Sequence, residues 1–469
     1  MLKKKSKFSL IEAYKISLQI LAKTPENWIE FSAGQNTKTN LARFKDGLFS
    51  SLLRQILGYF YFLLKSFSLR QNKVDKKDIL FLSSSNNQFT VLNPIFKNEA
   101  KFSSAFVIPN YLKFSPSHNC SNDLYFMKIS FLYFFPILFL TVTRIPRLSI
   151  ILWKTDKRLF FLRIKSFLLI YYWLIFHQVL INLIKPKIVM LSNDHNAEMR
   201  AMIELCKYFK IKTGYVQHAS VSKRFHSLDF DYSFLDGQHA LDIYRSCDSR
   251  RSLHSTKVSK RRCFLIGNLR EFNISRIEIK EPLKIGLALK GTDDIKEVSH
   301  IIESLSRVGD VIVRPHPNLK FKKIEGNFKS KFGNKILFSD PKDQSASDFI
   351  SCINIFVSGN STLLLEVAAA NRNPIYLEEL SGGIPDYYGF VKRGVCDCYQ
   401  NIDEFIDFYK NEKNDYKFVP NKDGINYYWS SYGKTYFNEE AAIVSNLLEK
   451  IINNSSDLKS EHHIKEVTL

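Results

Sequence analysis

The sequence predicts an α/β chain made of two successive doubly wound halves, preceded by extra helices. Three observations predict it. Short apolar runs alternate with helical periodicities over 187–268 and again over 284–453, the pattern of a parallel sheet covered on both faces. A charged stretch containing Pro282, 269–283 (LREFNISRIEIKEPL), lies between the two series as a linker. The apolar runs end in polar turns rich in Ser, His, Asp and Asn, and ligands collect at the carboxyl ends of strands in open sheets.

At 469 residues and 45% hydrophobic, the chain is long enough for two or three cores. Seven cysteines stand at 120, 206, 247, 263, 352, 396 and 398 without a CxxC pair. A reducing compartment is therefore expected, with no disulfide framework and no zinc site. Net charge is +21, from 67 basic and 46 acidic residues, which implies an anionic partner. Residues 1–70 hold 12 Lys/Arg against 4 Asp/Glu, interleaved with apolar helical stretches. No zinc finger, RNP-like stretch or basic zipper accompanies them, so the expected partner is a membrane surface and not nucleic acid.

In chain order, residues 1–75 read as a basic amphipathic helical segment, whose start (MLKKKSKFSL) lacks the apolar core of a signal peptide. The first α/β domain spans 76–268, with strands at 77–83 and 102–111 before an apolar and basic helical insert, 124–185. Two apolar runs in the insert are weighed as membrane spans. Residues 129–142 are too few and contain Pro136, and 166–184 carry His177, Gln178 and Asn182, so both read as buried or interfacial helices. The basic stretch 144–165 fits either a face against anionic headgroups or a solvated layer on the sheet. Strands follow at 188–192, 213–217, 230–235 and 263–266, with helices at 196–209 and 237–245. The second domain, 284–453, has strands at 284–291, 311–313, 336–338, 353–357 and 374–377. Its helices fall at 294–306, 345–351, 363–370, 402–411 and 439–453. Residues 454–469 read as a flexible tail.

Four polar turns carry candidate chemistry. VIVRPHP (311–317) places Arg314, His316 and Pro317 at a strand end. Arg offers a planar fork to phosphate oxygens, and His can donate beside a leaving phosphate. FVSGNSTLLLE (356–366) places Ser358, Ser361 and Thr362 where a strand turns into a helix, with Glu366 in that helix. Free N–H groups there suit an anion, although Ser or Thr can equally cap the helix. GYVQHAS (214–220) puts His218 at a strand end as a general base. FLDGQ (234–238) makes Asp236 its rival, although Asp–Gly is also an ordinary turn. Ser192, Asn193, Asp194 and His195 end a further strand.

RPHP followed by SGNST-LLLE resembles the C-terminal domain of GT-B-fold glycosyltransferases of bacterial surface polysaccharides. The set includes sialyl- and polysialyltransferases, Kdo transferases and CDP-glycerol polymerases. The resemblance covers about 187–380. It implies two Rossmann-like domains facing a cleft, with His316, Ser361 and Thr362 on the phosphate of a cytidine nucleotide. QHAS around His218 is similar to the WHGT-like turn of the polymerases. Leu235, Asp236 and Gly237 match only the last two positions of the [DE]-[DE]-G motif of the sialyltransferases. The expected activity is metal-independent transfer from a CMP- or CDP-linked donor to a lipopolysaccharide or capsule glycan. Arg314 would join the phosphate contacts and Glu366 would hold the ribose. The nucleotide sugar is a substrate and no cofactor is expected. The expected location is the inner face of the cytoplasmic membrane, held peripherally through the basic N-terminal third. Two alternatives stand: a nucleotide-sugar epimerase of the same fold, and a non-catalytic glycan- or lipid-binding component of polysaccharide export.

Overall fold

The computed structural model describes residues 48–68, 75–98, 102–109, 124–155, 157–221, 225, 227–248, 261–270, 283–290, 293, 295–317, 319, 321–412, 419, 421–455, 458 and 464–468. The chain forms two compact units, one of 1–270 with 439–469 and one of 271–438. The expected helices before residue 48 and the linker over 271–282 lie outside the described residues.

The first unit opens with α1 (Leu48–Ser66), β1 (Phe67–Ser68), β2 (Ile79–Leu82), α2 (Asn86–Lys97), β3 (Ser104–Pro109), β4 (Leu124–Met127) and β5 (Ile129–Ser130). Then come α3 (Phe134–Thr155), α4 (Lys157–Ile184), β6 (Ile188–Leu191), α5 (Ala197–Phe209), β7 (Lys212–Val216), β8 (Tyr232–Leu235), α6 (Gln238–Asp248) and β9 (Arg262–Leu265). The parallel sheet runs β9-β8-β7-β6-β2-β3-β4. Sequence succession reverses between β2 and β6, and such a reversal opens a crevice at the strand ends. β2 and β6 read ILFL and IVML and are buried at every position, as strands covered on both faces must be. Residues 124–127, expected in a helical insert, instead form the edge strand β4. Their apolar run is too short to tell a strand from a helix by periodicity.

Helix α4 is a core helix. The stretch Ile164–Ile184 is long and apolar enough to cross a membrane, yet 83% of it is buried inside the protein. His177 in its last turns is buried, with Nε2 3.0 Å from the Glu198 carbonyl. Burial pushes its pKa down to about 3, so the ring is neutral.

The second unit holds β10 (Lys284–Leu289), α7 (Ile295–Leu305), β11 (Asp310–Pro315), α8 (Phe321–Phe332), β12 (Ile336–Phe338), α9 (Ala346–Ser351), β13 (Ile355–Ser358), α10 (Leu363–Ala369), β14 (Asn373–Leu377), β15 (Asp397–Tyr399), α11 (Ile402–Glu412) and α12 (Lys422–Tyr428). Its sheet is parallel throughout, in the order β12-β11-β10-β13-β14-β15. The reversal here lies between β10 and β13. Alternate residues feed two core layers. Ile285, Leu287, Val311, Val313, Ile355 and Val357 lie on one face, and Ala288, Ile312 and Phe356 on the other.

The chain then returns to the first unit. Helix α13 (Glu440–Ile452) packs there, and β16 (Lys465–Thr468) pairs antiparallel with β9. This corrects two expectations: the second domain does not extend to 453, and 454–469 is not wholly a flexible tail. Lys212 Nζ donates to the Ile451 carbonyl at 2.7 Å and to Asn454 Oδ1 at 2.6 Å. Arg262 grips the Glu466 carboxylate with two guanidinium nitrogens. These partners lie more than 200 positions upstream in the sequence, beyond the reach of a local pattern.

Candidate functional site

In the second unit, RPHP straddles the end of β11. Arg314 is 7% exposed. Its Nη1 donates to the Ser339 hydroxyl, its Nη2 to the Gln344 carbonyl at 2.9 Å, and its guanidinium lies 5.1 Å from the centre of the Phe349 ring. The carboxylates of Glu366, Asp340 and Asp348 hold its charge, against burial that lowers its pKa. The fork expected on a phosphate is thus engaged inside the unit, where it fastens the segment 339–344 to the end of β11. The last two residues of the motif behave differently. His316 and Pro317 are exposed. The His316 N–H donates to the Leu289 carbonyl at 2.9 Å and its carbonyl accepts from Leu319 N–H at 2.8 Å, so the turn carrying the imidazole is fixed at its backbone.

Ser358 ends β13 beside the strand-order reversal. Its side chain is fully buried, and its hydroxyl has no hydrogen-bond partner among the described residues. A buried polar group in that state costs free energy unless a ligand or water completes it. Gly359 comes next, and a Cβ there would lie 1.9 Å from the Leu380 carbonyl oxygen. Asn360 Nδ2 donates to the carbonyls of Ser381 at 2.8 Å and Ile384 at 2.7 Å, and its Oδ1 accepts from Tyr387 N–H at 2.9 Å. The loop 381–387 is therefore fastened to the strand end. Ser361 Oγ accepts from Leu363 N–H at 3.3 Å, and the Thr362 side chain makes no capping bond. Helix α10 has seven residues, so any anion here relies on side chains more than on a helix dipole. Glu366 in its first turn is 7% exposed. Across the reversal, Lys290 follows β10. Its Nζ donates to the Leu380 carbonyl at 2.6 Å, and burial lowers its pKa.

The first unit repeats this layout. Ser192 ends β6 beside the reversal, fully buried, and its hydroxyl also lacks a partner among the described residues. Asp194 is fully buried, with Oδ1 2.9 Å from His195 Nδ1 and Oδ2 3.6 Å from Arg200 Nη2. Arg200 Nε donates to the Asp194 carbonyl at 2.7 Å. Asn196 caps α5 by accepting from Met199 N–H at 2.8 Å, and its Nδ2 donates to the Ser84 hydroxyl at 3.0 Å, beyond β2. That last bond crosses the reversal. His218, one strand over, is partly buried, and its carbonyl accepts from Arg270 Nη2 at 2.8 Å. Burial, then His195 and Arg270, push its imidazole down to about 4. It is neutral at pH 7. Asp236 ends the next strand, its N–H donating to Gln217 Oε1 at 3.0 Å.

Sequence reasoning gave His195 little weight and placed Arg270 in the linker. Asp194 stands in the sequence only as part of the same strand end as His195, and Asn196, Ser84 and Lys290 carry no signal of their own. The strand ends themselves were readable. Which of them flank a reversal depends on strand order, a long-range property. A cavity of about 440 Å³ lies at the amino ends of β7, β8 and β9, lined by Lys207, Lys212, Asp231 and Arg262 among others. Lys207 pairs with Asp229, and Arg262 with Glu466, so those cations are already matched.

Two parallel doubly wound units, each with a single reversal flanked by polar strand ends, define the GT-B-like fold. S. aureus MnaA in its UDP co-structure shares that fold at 11% identity and a TM-score of 0.50, over 82% of this chain and 99% of that one. Also similar are the UDP-GlcNAc 2-epimerase from Neisseria meningitidis bound to UDP-GlcNAc, at 13% identity and TM-score 0.48 over 79% and 99% of the two chains, and the wall teichoic acid polymerase TagF with CDPG, at 9% identity and TM-score 0.46 over 96% and 99%. No protein-family model and no curated protein matches the sequence.

Proposed function

We propose that the protein is a metal-independent glycosyltransferase acting at the inner face of the cytoplasmic membrane. It moves a sugar from a CMP- or CDP-linked donor onto a lipopolysaccharide or capsule glycan, with no cofactor beyond the donor. The observation that carries this reading is the buried, unpartnered Ser358 hydroxyl at the reversal of the second unit. With exposed His316, Ser361 and Thr362 it offers donors to a phosphate, and hydrogen bonds aimed at developing negative charge are the largest usual catalytic term. Glu366 is assigned to the ribose. Arg314 is assigned to fastening the segment 339–344 through Ser339 and Gln344.

His218 is neutral at pH 7 and can accept the proton of an acceptor hydroxyl. Asp236 is the second candidate for that proton. The nucleotide reading is tested by thermal shift of the full chain with CMP, CDP, UDP and GDP. Stabilisation by a cytidine nucleotide that is lost in His316→Ala is expected. A preference for UDP would overturn the donor class, and no shift with any nucleotide would leave a binding component of export. Incubation with donor alone separates transfer from epimerisation, since an epimerase converts its donor without an acceptor.

A further inference from the structure

Helices α1 and α3 both pack on the buried α4 and touch each other, with Tyr59 Oη 2.7 Å from Thr141 Oγ1. Their inward sides are buried, at Leu63 on α1 and at Leu140 and Leu152 on α3. Their outward sides are apolar as well, which a helix facing water does not require. On α1, Leu53, Leu57 and Leu64 are 50%, 59% and 65% exposed. On α3, Phe135, Phe139 and Trp153 are 66%, 61% and 47% exposed. Within each helix the three residues recur at spacings that keep them on one stripe. Of the 18-residue apolar window within Phe131–Lys154 only 29% is buried, against 83% for that within the neighbouring Ile164–Ile184.

Charge says what covers this stripe. Residues 48–68 and 131–155 contain no Asp or Glu. Arg54 and Lys65 on α1, and Arg147 and Lys154 on α3, fall about 80–110° around the helix from the stripe centre, at its margin. Lys65 Nζ lies 4.5 Å from the centre of the Tyr61 ring, so its stem runs along the apolar side chains. Cations bordering an apolar stripe suit an anionic lipid surface. A second copy would set like charges together. A span by α3 would bury Arg144 and Arg147 near mid-membrane, at high cost.

We propose that the α1–α3 pair inserts its outer stripe, lying in plane, into an anionic bilayer face. This rests on the membrane location proposed above and not on the transfer chemistry. It goes further than electrostatic contact, because insertion resists salt.

The test is flotation of the full chain with phosphatidylcholine vesicles, with and without phosphatidylglycerol, at low salt and at about 1 M NaCl, where charge attraction is screened. Binding to the anionic vesicles that persists at high salt is expected. Leu57→Ser/Phe139→Ser/Trp153→Ser should lower the high-salt partitioning about tenfold or more, with its melting temperature and nucleotide thermal shift kept. Release of the wild type by salt would overturn insertion while leaving peripheral charge contact intact. Wild-type binding by the triple variant, or a dimer that the variant abolishes, would overturn it too. Loss of the nucleotide shift in wild type would strike the transfer reading alone.

Discussion

Asp194 Oδ1 lies 2.9 Å from His195 Nδ1, and the Asp194 side chain is fully buried. A buried carboxylate so placed orients one face of the imidazole, while His195 in turn helps hold His218 neutral. His218→Gln should lower transfer about 10²–10⁴-fold, the usual worth of a general base, with nucleotide binding intact. Asp194→Asn leaves Arg200 without its buried counter-charge and should cost about 3 kcal/mol of stability, read as a lower melting temperature. A His218→Gln enzyme of full activity would hand the proton to Asp236.

The pH dependence follows from the sign of the His218 shift. Its folded pKa is depressed, from 6.5 to about 4. The folded chain therefore binds fewer protons than the unfolded one as pH falls through that window. The stability tied to neutral His218 is complete above 6.5 and is lost as pH falls toward 4. NMR titration of the ring should place its midpoint near 4 in wild type. His195→Gln removes the neighbouring imidazole that lowers the His218 pKa and should move that midpoint up. A wild-type midpoint near 6.5 would contradict the burial of the ring.

Much of this was legible in the sequence, for a physical reason. Parallel strands buried on both faces are continuous apolar runs such as IVML, and their ends are marked where the polarity changes. His218, Asp236, His316 and Ser358 all stand where an apolar run meets polar residues. Arg314 was placed correctly along the chain, yet its partners Ser339, Gln344 and Phe349 lie 25 or more positions away. No local pattern distinguishes an arginine turned into a core from one turned to a ligand. Likewise β16 and the Arg270–His218 bond depend on the chain returning to places far upstream.

Arg314 and His316 should accordingly behave as opposites. Arg314→Ala removes a buried cation that serves Ser339, Gln344 and the Phe349 ring, so loss of stability of about 2 kcal/mol or more is expected before any ligand is added. His316→Ala alters an exposed side chain and should leave the melting temperature within about 1 °C, since surface substitutions rarely exceed ~0.5 kcal/mol. It should nevertheless abolish the nucleotide-induced shift. Calorimetry with the preferred nucleotide reads both effects, and an Arg314→Ala protein of wild-type stability would return Arg314 to the phosphate.

Gly359 provides a test of the loop bonded to Asn360. The Cβ of Gly359→Ala would collide with the Leu380 carbonyl, which is also the acceptor for Lys290 Nζ. The chain has to move at one of these contacts. A cost of about 1–3 kcal/mol is typical of such overpacking, and weaker nucleotide binding should accompany it. Asn360→Ala removes the bonds to Ser381, Ile384 and Tyr387 without adding bulk. Faster amide exchange across 381–387 with little change at β13 is expected. Unchanged exchange in that loop would show that other contacts fasten it.

The last strand makes the end of the chain part of the first unit's core architecture. β16 covers the β9 edge, and an uncovered edge strand is a template for association with other chains. Truncation after residue 463 leaves α13 and its Lys212 contacts in place and removes the ladder, the Val467 side chain packed against the core, the Lys465–Gln238 hydrogen bond and the Arg262–Glu466 pair. Exposed ion pairs are worth little, so the ladder carries most of the loss. A lower melting temperature and concentration-dependent aggregation should follow, while Glu466→Gln alone should change stability by less than about 1 kcal/mol. Light scattering against concentration separates the two, because an uncovered edge raises association and a missing charge pair does not. A truncated chain that stays monomeric and melts as the full chain does would show that β9 needs no cover.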